Sequence, residues 1–314
     1  MKEKNSRKII MIVHRFVWGV AVFFVACNPY YDTTDESLPD DERLLYASIE
    51  ERVEAWLDAM CSASFAGRKV GTDGNYLAFQ YLMKEGREMG FSPEEQSFEH
   101  KGGIMIRNIL IRIDGEEPDS LFIIGAHYDG QYESVGNKVF QAANDNASGV
   151  VTTLYILDSL SKINKPRYSM LVCFWDGEEG VVAPPFKGSD YFVSHFENKE
   201  SIVLYVNIDA IGHNHDNSIF LGWYGGNSNL RISKMIESLR EESQFNYLIK
   251  QRGPGDGSSD YRCFSQVQVP YISYTDITLN CDHPQHSVWD TKDYIDKKRL
   301  IKVGDLTIDI LNSI

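Results

Sequence analysis

Apolar runs that end in acidic or histidine residues are the feature that most constrains the fold of this chain. The runs at 121–126, 170–175 and 202–206 each predict a buried β-strand, and segments with helical spacing lie between them. Because strands that alternate with helices favour a sheet covered on both faces, we expect an α/β protein. The predicted architecture is a three-layer α/β/α sandwich around a central mixed, mostly parallel β-sheet.

Candidate ligands follow these strands closely. In open α/β sheets, ligands bind at the carboxyl ends of the strands, so residues distant in sequence can meet at one edge. Two histidines and three carboxylates could bind a pair of zinc ions, and one further glutamate could act as a base. These residues lie in five segments: His127-Tyr128-Asp129, Asn144-Asp145-Asn146, Glu178-Glu179, Asn207-Ile208-Asp209 and the stretch from His286 to Thr291. The combination predicts a hydrolytic metalloenzyme.

Asp145 and the glutamate pair must be weighed against ordinary structural roles. Asp145 directly precedes a predicted helix from 147 to about 160, where an aspartate is commonly a cap. Asn146 or Ser148 could cap that helix instead, which would leave Asp145 free to bridge two metal ions. Two adjacent carboxylates after a buried strand are costly to desolvate, so we expect a positive partner for Glu178 and Glu179.

The histidines allow more than one assignment. His127 and Asp129 are two residues apart, so Asp129 could hold one ring nitrogen while the other binds metal. His213, His215 and His283 compete as ligands, and His283 is the main alternative to His286.

The ordered set of segments resembles the zinc aminopeptidase family that also includes the glutaminyl cyclases. The resemblance extends from about Ala66 to the C-terminus, and the Gly67-Arg68 turn and Ser259-Asp260 also fit it. It implies a fold of the zinc exopeptidase type, two zinc ions and peptide substrates with a free amino terminus. Glu178 would be the general base and acid, and Asp129 would orient His127. The implied metal ligands are His127 and Asp209 for one zinc, Glu179 and His286 for the other, and Asp145 as the bridge.

Three departures keep the reaction open between two members of this family. The segment 180–187 is longer than in typical aminopeptidases and nearer to the loop of the cyclases. Tyr261 stands where relatives often have histidine, and 254–257 lacks the tyrosine with which some aminopeptidases stabilise the oxyanion. Gln285 replaces a tryptophan of the animal-type cyclases, which favours hydrolysis.

We therefore expect a zinc-dependent aminopeptidase. A glutaminyl cyclase that forms amino-terminal pyroglutamate with a single zinc is the alternative. A noncatalytic binding protein with the same fold is a third reading, and the presence of every implied ligand argues against it.

The N-terminus predicts export. Basic residues precede an apolar stretch at 16–26 that ends at Cys27, a pattern typical of a bacterial lipoprotein signal in 1–27 with lipidated Cys27. An uncleaved anchor or a plain signal would also place the protein outside the cytoplasm. We expect an acidic flexible tether at 28–43 and a catalytic domain at 44–314, held to the membrane by the lipid.

Charge and cysteines complete the predictions. The net charge of −14 becomes −18 without the first 26 residues, which hold five basic residues and one acidic residue. This charge argues against nucleic acid as a partner. Cys263 and Cys281 are the candidate disulfide of an exported chain, and Cys173 is expected to be a buried free thiol. The oligomeric state is not predicted.

Overall fold

A central sheet of eight strands organises the protein. The computed structural model describes residues 48–180, 184–214, 216–241, 244–276 and 285–313. A further pair of two-residue strands, β4 and β5, forms a small separate hairpin. In chain order the strands are β1 (Glu94–His100), β2 (Ile104–Ile113), β3 (Glu117–His127), β4 (Ser134–Val135), β5 (Lys138–Val139), β6 (Tyr168–Trp175), β7 (Ile202–Ile208), β8 (Ser218–Tyr224), β9 (Asn246–Gln251) and β10 (Tyr271–Thr275).

The strand order in the sheet is β1-β2-β6-β3-β7-β10-β8-β9. The four central strands β6, β3, β7 and β10 run parallel to one another, as do β8 and β9. The other pairings, β1 with β2, β2 with β6 and β10 with β8, are antiparallel. The carboxyl ends of four adjacent strands therefore meet at one edge, and the candidate site lies there.

Seven α-helices accompany the sheet in the described part of the chain. The first begins at Ser48, whose hydroxyl and main chain form a capping box with Glu51. Ser48 is thus the N-cap, and the helix itself begins at Ile49. The helices are α1 (Ile49–Met60), α2 (Asp73–Glu88), α3 (Gly149–Ser161), α4 (Lys187–His195), α5 (Asn229–Glu241), α6 (Tyr261–Gln266) and α7 (Lys297–Ser313).

Helices cover both faces of the sheet, as predicted. Alternate residues of β3 point to opposite faces, and residues 121–127 of this strand are buried on both. Phe122 and Ile124 share a core with helices α1, α2, α3, α5 and α7. Leu121 and Ile123 belong to a second core, to which α4 and α6 contribute Phe192, Phe264 and neighbouring side chains. This arrangement confirms the mixed α/β/α sandwich.

Several predictions fall outside the described residues. These are the signal and Cys27, the tether at 28–43, and His215, Cys281 and His283. Cys263 is a buried free thiol, which contradicts its predicted disulfide with Cys281, whereas Cys173 is a buried free thiol in β6, as expected. Within the described residues, no helix combines the length and the apolar character needed to span a membrane.

Candidate metal centre

Two groups of donor atoms lie side by side at the carboxyl edge of the sheet. His127, Asp145 and Asp209 form the first triad, and Asp145, Glu179 and His286 form the second. In the first, His127 Nε2 lies 3.3 Å from Asp145 Oδ1 and 3.4 Å from Asp209 Oδ1. In the second, His286 Nε2 lies 3.0 Å from Asp145 Oδ2 and 3.1 Å from Glu179 Oε2. The two oxygens of Asp145 thus face different triads.

Strand ends bring these residues together. His127 is the last residue of β3, Glu178 and Glu179 follow β6, and Asp209 follows β7. These three strands are neighbours in the sheet, with β3 in the middle. His286 comes from the chain after β10 and has a left-handed backbone with φ of 59°. The structure brings all five predicted ligands to one place.

The segment that carries Asp145 is fastened to the chain after β7. Asn144, Asn146 and Ser148 accept hydrogen bonds from the main-chain amides of Gly212 (2.7 Å), Ala210 (3.1 Å) and Ile211 (3.0 Å), respectively. Asn146 also accepts the amide of Gly149, at the start of α3, at 3.0 Å. Ser148 occupies the N-cap position without a side-chain cap bond, Asn146 accepts the first amide of α3, and the carboxylate of Asp145 faces the histidines.

Asp290 holds the same segment from the opposite side. Its carboxylate accepts the main-chain amides of Asn144 at 2.7 Å and Asp145 at 3.1 Å. Sequence analysis included Asp290 in a motif without giving it a role. The structure shows that it fixes the backbone of the shared ligand, and a His-Xaa3-Asp spacing is the only sequence signal for it.

Arg68 is a second support that sequence reasoning did not assign. It is fully buried, and its guanidinium donates to main-chain carbonyls of Met60, Tyr128, Gln141 and Ala142. Tyr128 follows the ligand His127, and Ala142 precedes the segment of Asp145. Burial lowers the pKa of Arg68, while the nearby carboxylates of Asp290, Asp129 and Asp145 act in the opposite direction.

Asp129 makes different contacts from those predicted. Its carboxylate Oδ1 is 3.6 Å from His127 Nδ1, which is too long for a hydrogen bond, while its main-chain oxygen is 3.2 Å away. The two carboxylate oxygens instead accept the main-chain amides of Glu178 and Glu179, each at 3.1 Å. Asp129 therefore positions the glutamate pair with its side chain and contacts His127 with its main chain.

Mutual repulsion and burial shift the protonation of the acidic residues. Burial raises the pKa of Glu178 well above its usual range, and the charges of Asp209, Asp260 and Glu179 add to this effect. Burial likewise raises the pKa of Glu179 to about 7. Burial would raise the pKa of Asp145 as well, but the adjacent rings of His127 and His286 lower it. The crowded carboxylates therefore favour a positively charged partner.

The neighbouring carboxylates raise the pKa of both histidines. Hydrogen bonds to Asp145 and Glu179 raise the pKa of His286 to about 10. Burial opposes charge on His127, but Glu178 and the aspartates around it raise its pKa well above the usual value. The same carboxylates that favour these protons would also favour a bound metal ion.

The donor set fits zinc. Tetrahedral zinc binds histidine nitrogen and carboxylate oxygen at about 2.0–2.2 Å, which places neighbouring ligand atoms about 3.3–3.5 Å apart. The spacings of 3.0 to 3.4 Å in the two triads are close to this value. His127 Nε2 and Glu179 Oε1 are buried and make no hydrogen bond within the described residues, as expected of atoms reserved for a metal.

Other candidates lie apart from the triads. His213 is buried, with Nδ1 3.4 Å from Asn144 Nδ2, and it belongs to neither triad. Asp260 is buried close enough to raise the pKa of Glu178, and burial raises its own pKa to about 7. The hydroxyl of Tyr261 accepts the amide of Ser258 at 3.3 Å.

Comparison with known proteins identifies the family. The model of peptidase family M28 matches residues 108–311, which include every proposed ligand. The chain belongs to peptidase family M28. Family membership and likeness to a zinc aminopeptidase imply zinc as the metal of this M28 protein.

Relatives of both reaction types resemble this M28 chain. A glutaminyl-peptide cyclotransferase of Drosophila melanogaster is 25% identical over 207 residues, covering 61% of this chain and 57% of the fly protein. The glutaminyl cyclase of Porphyromonas gingivalis superposes with a TM-score of 0.69 at 20% identity, covering 84% of this chain and 98% of that one. A zinc aminopeptidase from Bacillus subtilis gives a TM-score of 0.70 at 13% identity, covering 84% and 94%. At these identities the structural matches show the shared fold.

Proposed function

We propose that the protein is an exported, zinc-dependent aminopeptidase that removes amino-terminal residues from peptides. The observation that carries the proposal is the pair of triads that share Asp145, with Glu178 beside them. Glu178 Oε2 lies 3.9 Å from His127 Nε2. A bridging carboxylate and a spare glutamate are the parts that a two-metal hydrolase needs, so we propose two zinc ions for each chain.

The residues of the site would divide the work as follows. Glu178 takes a proton from the attacking water and returns it to the leaving amine, a role typically worth about 10²–10⁴ in rate. His127, Asp145, Asp209, Glu179 and His286 hold the metal. Asp129 fixes Glu178 and Glu179 through their amides. Zinc bound in the triads would make water more acidic and polarise the peptide carbonyl.

A glutaminyl cyclase is the second candidate function. It is supported by the likeness to the Porphyromonas gingivalis enzyme, nearly all of whose chain is covered, and by the length of segment 180–187. Gln285, in place of the cyclase tryptophan, supports hydrolysis instead. Both reactions use the same glutamate as a base, so the site ligands alone do not separate them.

Mass spectrometry of peptide products separates the two reactions. Zinc-loaded protein is incubated with unlabelled peptides, one of which begins with glutamine. An aminopeptidase removes residues stepwise, and a chelator abolishes this activity. A cyclase releases only ammonia, and only from the glutamine peptide, which would contradict our first proposal.

Glu178→Gln tests the base in the same assay. It removes the basic carboxylate with little change of shape, so we expect kcat to fall by about 10²–10⁴ while zinc is retained. The matched control is Glu133→Gln, an exposed glutamate on the neighbouring loop. Activity of Glu178→Gln equal to that of the wild type would contradict the assignment.

The lipid anchor at Cys27 is part of the proposal for location. Fractionation of producing cells should place the full chain in the membrane, and labelling with radioactive palmitate should mark the wild type but not Cys27→Ala. Equal labelling of both forms would contradict the anchor.

A further inference from the structure

An exposed aromatic rim stands beside the more open of the two triads. It consists of Tyr132, Val135, Lys138 and Trp289. Their apolar members are unusually exposed, at 44% for Tyr132, 61% for Val135 and 54% for Trp289. The ammonium of Lys138 lies 4.3 Å from the centre of the Trp289 ring. Exposed aromatic groups gathered beside a site are typical of a binding surface.

The rim rests on a fixed base. The β4–β5 hairpin pairs Ser134 with Val139 and Val135 with Lys138. Gly67, with φ of +69°, packs so closely under the hairpin that an added Cβ would lie 2.0 Å from the main-chain oxygen of Tyr132. The rings of Tyr132 and Phe140 are in contact, with centroids 4.9 Å apart. Strand pairing and close packing therefore hold the rim in a defined position.

A small cavity connects Tyr132 of the rim with the second triad. Its lining includes Gln131, Tyr132 and Phe140 together with Asp145, Glu179 and His286. A group bound over the second triad would therefore contact Tyr132, the member of the rim that lines this cavity.

Exposure of the two triads shows where a peptide can leave the site. In the first triad the side chains of His127 and Asp209 are 1% and 17% exposed. In the second triad His286 is 44% exposed. A peptide whose amino-terminal residue is enclosed must lead its remaining residues out to solvent. The open side, past His286, leads to the rim.

We propose that the aromatic rim binds the peptide residues that follow the scissile bond, and that it selects peptides with an apolar residue there and a carboxylate close behind. This inference rests on the proposed aminopeptidase function. Tyr132 and Trp289 contact the apolar side chain, and Lys138 pairs with the carboxylate. The carboxylate is either the C-terminus of a short peptide or an acidic side chain.

The test compares substrates that do and do not reach the rim. Leucinamide has no residue after the scissile bond, whereas Leu-Phe-Ala extends across the rim. In Trp289→Ala, we expect kcat/KM for Leu-Phe-Ala relative to leucinamide to fall by between about twofold and tenfold. Leu230→Ala is the control, because Leu230 is 70% exposed on α5 and does not line the cavity. If kcat/KM changes equally for both substrates, or does not change, the proposal that the rim binds the peptide is wrong.

Lys138→Met tests separately whether Lys138 recognises a substrate carboxylate. Unlike Trp289, Lys138 is not adjacent in sequence to the supporting residue Asp290. The substrates are Leu-Phe-Ala with a free C-terminus, its C-terminal amide, and the amide of Leu-Phe-Asp. An exposed ion pair gives a preference of about two- to fivefold, which the variant should lose. If Lys138→Met loses the preference for the free acid over the amide, Lys138 pairs with the peptide C-terminus. If the variant loses the preference for the aspartyl peptide, Lys138 pairs with an acidic side chain. No preference, or one that Lys138→Met retains, would overturn the role of Lys138.

Failure of the parent proposal would give a different result. Wild-type protein that hydrolyses neither leucinamide nor Leu-Phe-Ala is not an aminopeptidase of this kind. Calorimetric titration with Leu-Phe-Ala then tests whether the rim binds the peptide, independently of hydrolysis. Weaker binding by Trp289→Ala supports the rim, and equal binding overturns it.

Discussion

Single side chains explain why this site holds protons when no metal is bound. His286 lies within 3.1 Å of carboxylate oxygens from both Asp145 and Glu179, and these contacts raise its pKa to about 10. At pH 7 the ring therefore carries a proton at the nitrogen that faces the carboxylates. A metal ion needs that nitrogen neutral, so binding must release the proton.

Metal affinity should consequently rise with pH. Between pH 6 and pH 8 the histidine of the metal-free protein is protonated, because its pKa lies above this window. Each unit of pH then makes the displaced proton easier to lose, and affinity should increase by up to about tenfold per unit for one proton. Calorimetric titration of zinc in buffers of different ionisation enthalpy measures the protons released. Affinity independent of pH, with no proton release, would contradict this account.

The five proposed ligands were implied by the family resemblance, and their meeting at one edge could be expected because most of them follow a recognisable apolar run. The residues that hold them could not, because their partners are main-chain groups. Asp290 accepts amides 145 and 146 residues away, and Arg68 donates to four carbonyls. Asp129 was assigned to the histidine, whereas its side chain binds the two glutamate amides. No side-chain pattern reveals such contacts.

At the scale of elements, the segment between β5 and α3 acts as the mount for the shared ligand. Asn144, Asn146 and Ser148 connect it to residues 210–212, and Asp290 connects it to the chain after β10. The position of Asp145 is thus set by two neighbouring strand ends together. A substitution that breaks either set of hydrogen bonds should therefore change metal affinity.

Asp290→Asn should weaken metal binding. An amide group offers one acceptor oxygen where the carboxylate offers two, so one of the two amides of Asn144 and Asp145 loses its partner. Changes in groups that orient metal ligands typically reduce affinity by about 10- to 100-fold, and we expect a loss in this range. Asp293→Asn, an exposed aspartate on the next turn, is the control. Zinc competition with a chelating dye measures both, and equal affinities would show that Asp290 is not a support.

Strands and helices were predicted unequally well. The buried central strands were found because their apolar runs are continuous, and the helix predicted from 147 to about 160 is observed as α3, Gly149–Ser161. The half-exposed strands β1 and β9 carry polar residues on one side, so they give weak signals. The short helices α4 and α6 are too brief for clear periodicity.

At the scale of the whole molecule, one buried ion pair ties the closing helix to the sheet. Arg299 of α7 lies 3.2 Å from Asp276, at the end of β10. The same guanidinium donates to the carbonyls of Ile211 and Ser218. Both charged side chains are almost completely buried. This contact joins three strands and the last helix just behind the metal centre.

Asp276→Ala should destabilise the protein strongly. Removal of one partner from a buried pair leaves an uncompensated charge and typically costs about 3–5 kcal/mol of unfolding free energy. The control is Asp114→Ala, which removes the exposed pair with Arg112 and should cost no more than about 1 kcal/mol. Denaturant unfolding measures both variants. Similar losses would mean that the buried pair contributes no more than a surface one.

The division of Asp145 between two triads makes the two metal positions dependent on each other. With the two zinc ions proposed above, an ion in either triad would take one oxygen of this carboxylate and cancel part of the negative charge offered to the other triad. The second ion would therefore meet a preformed but less attractive site. Loading should then proceed in two steps of unequal affinity, and the metal concentration would decide whether the protein carries one ion or two.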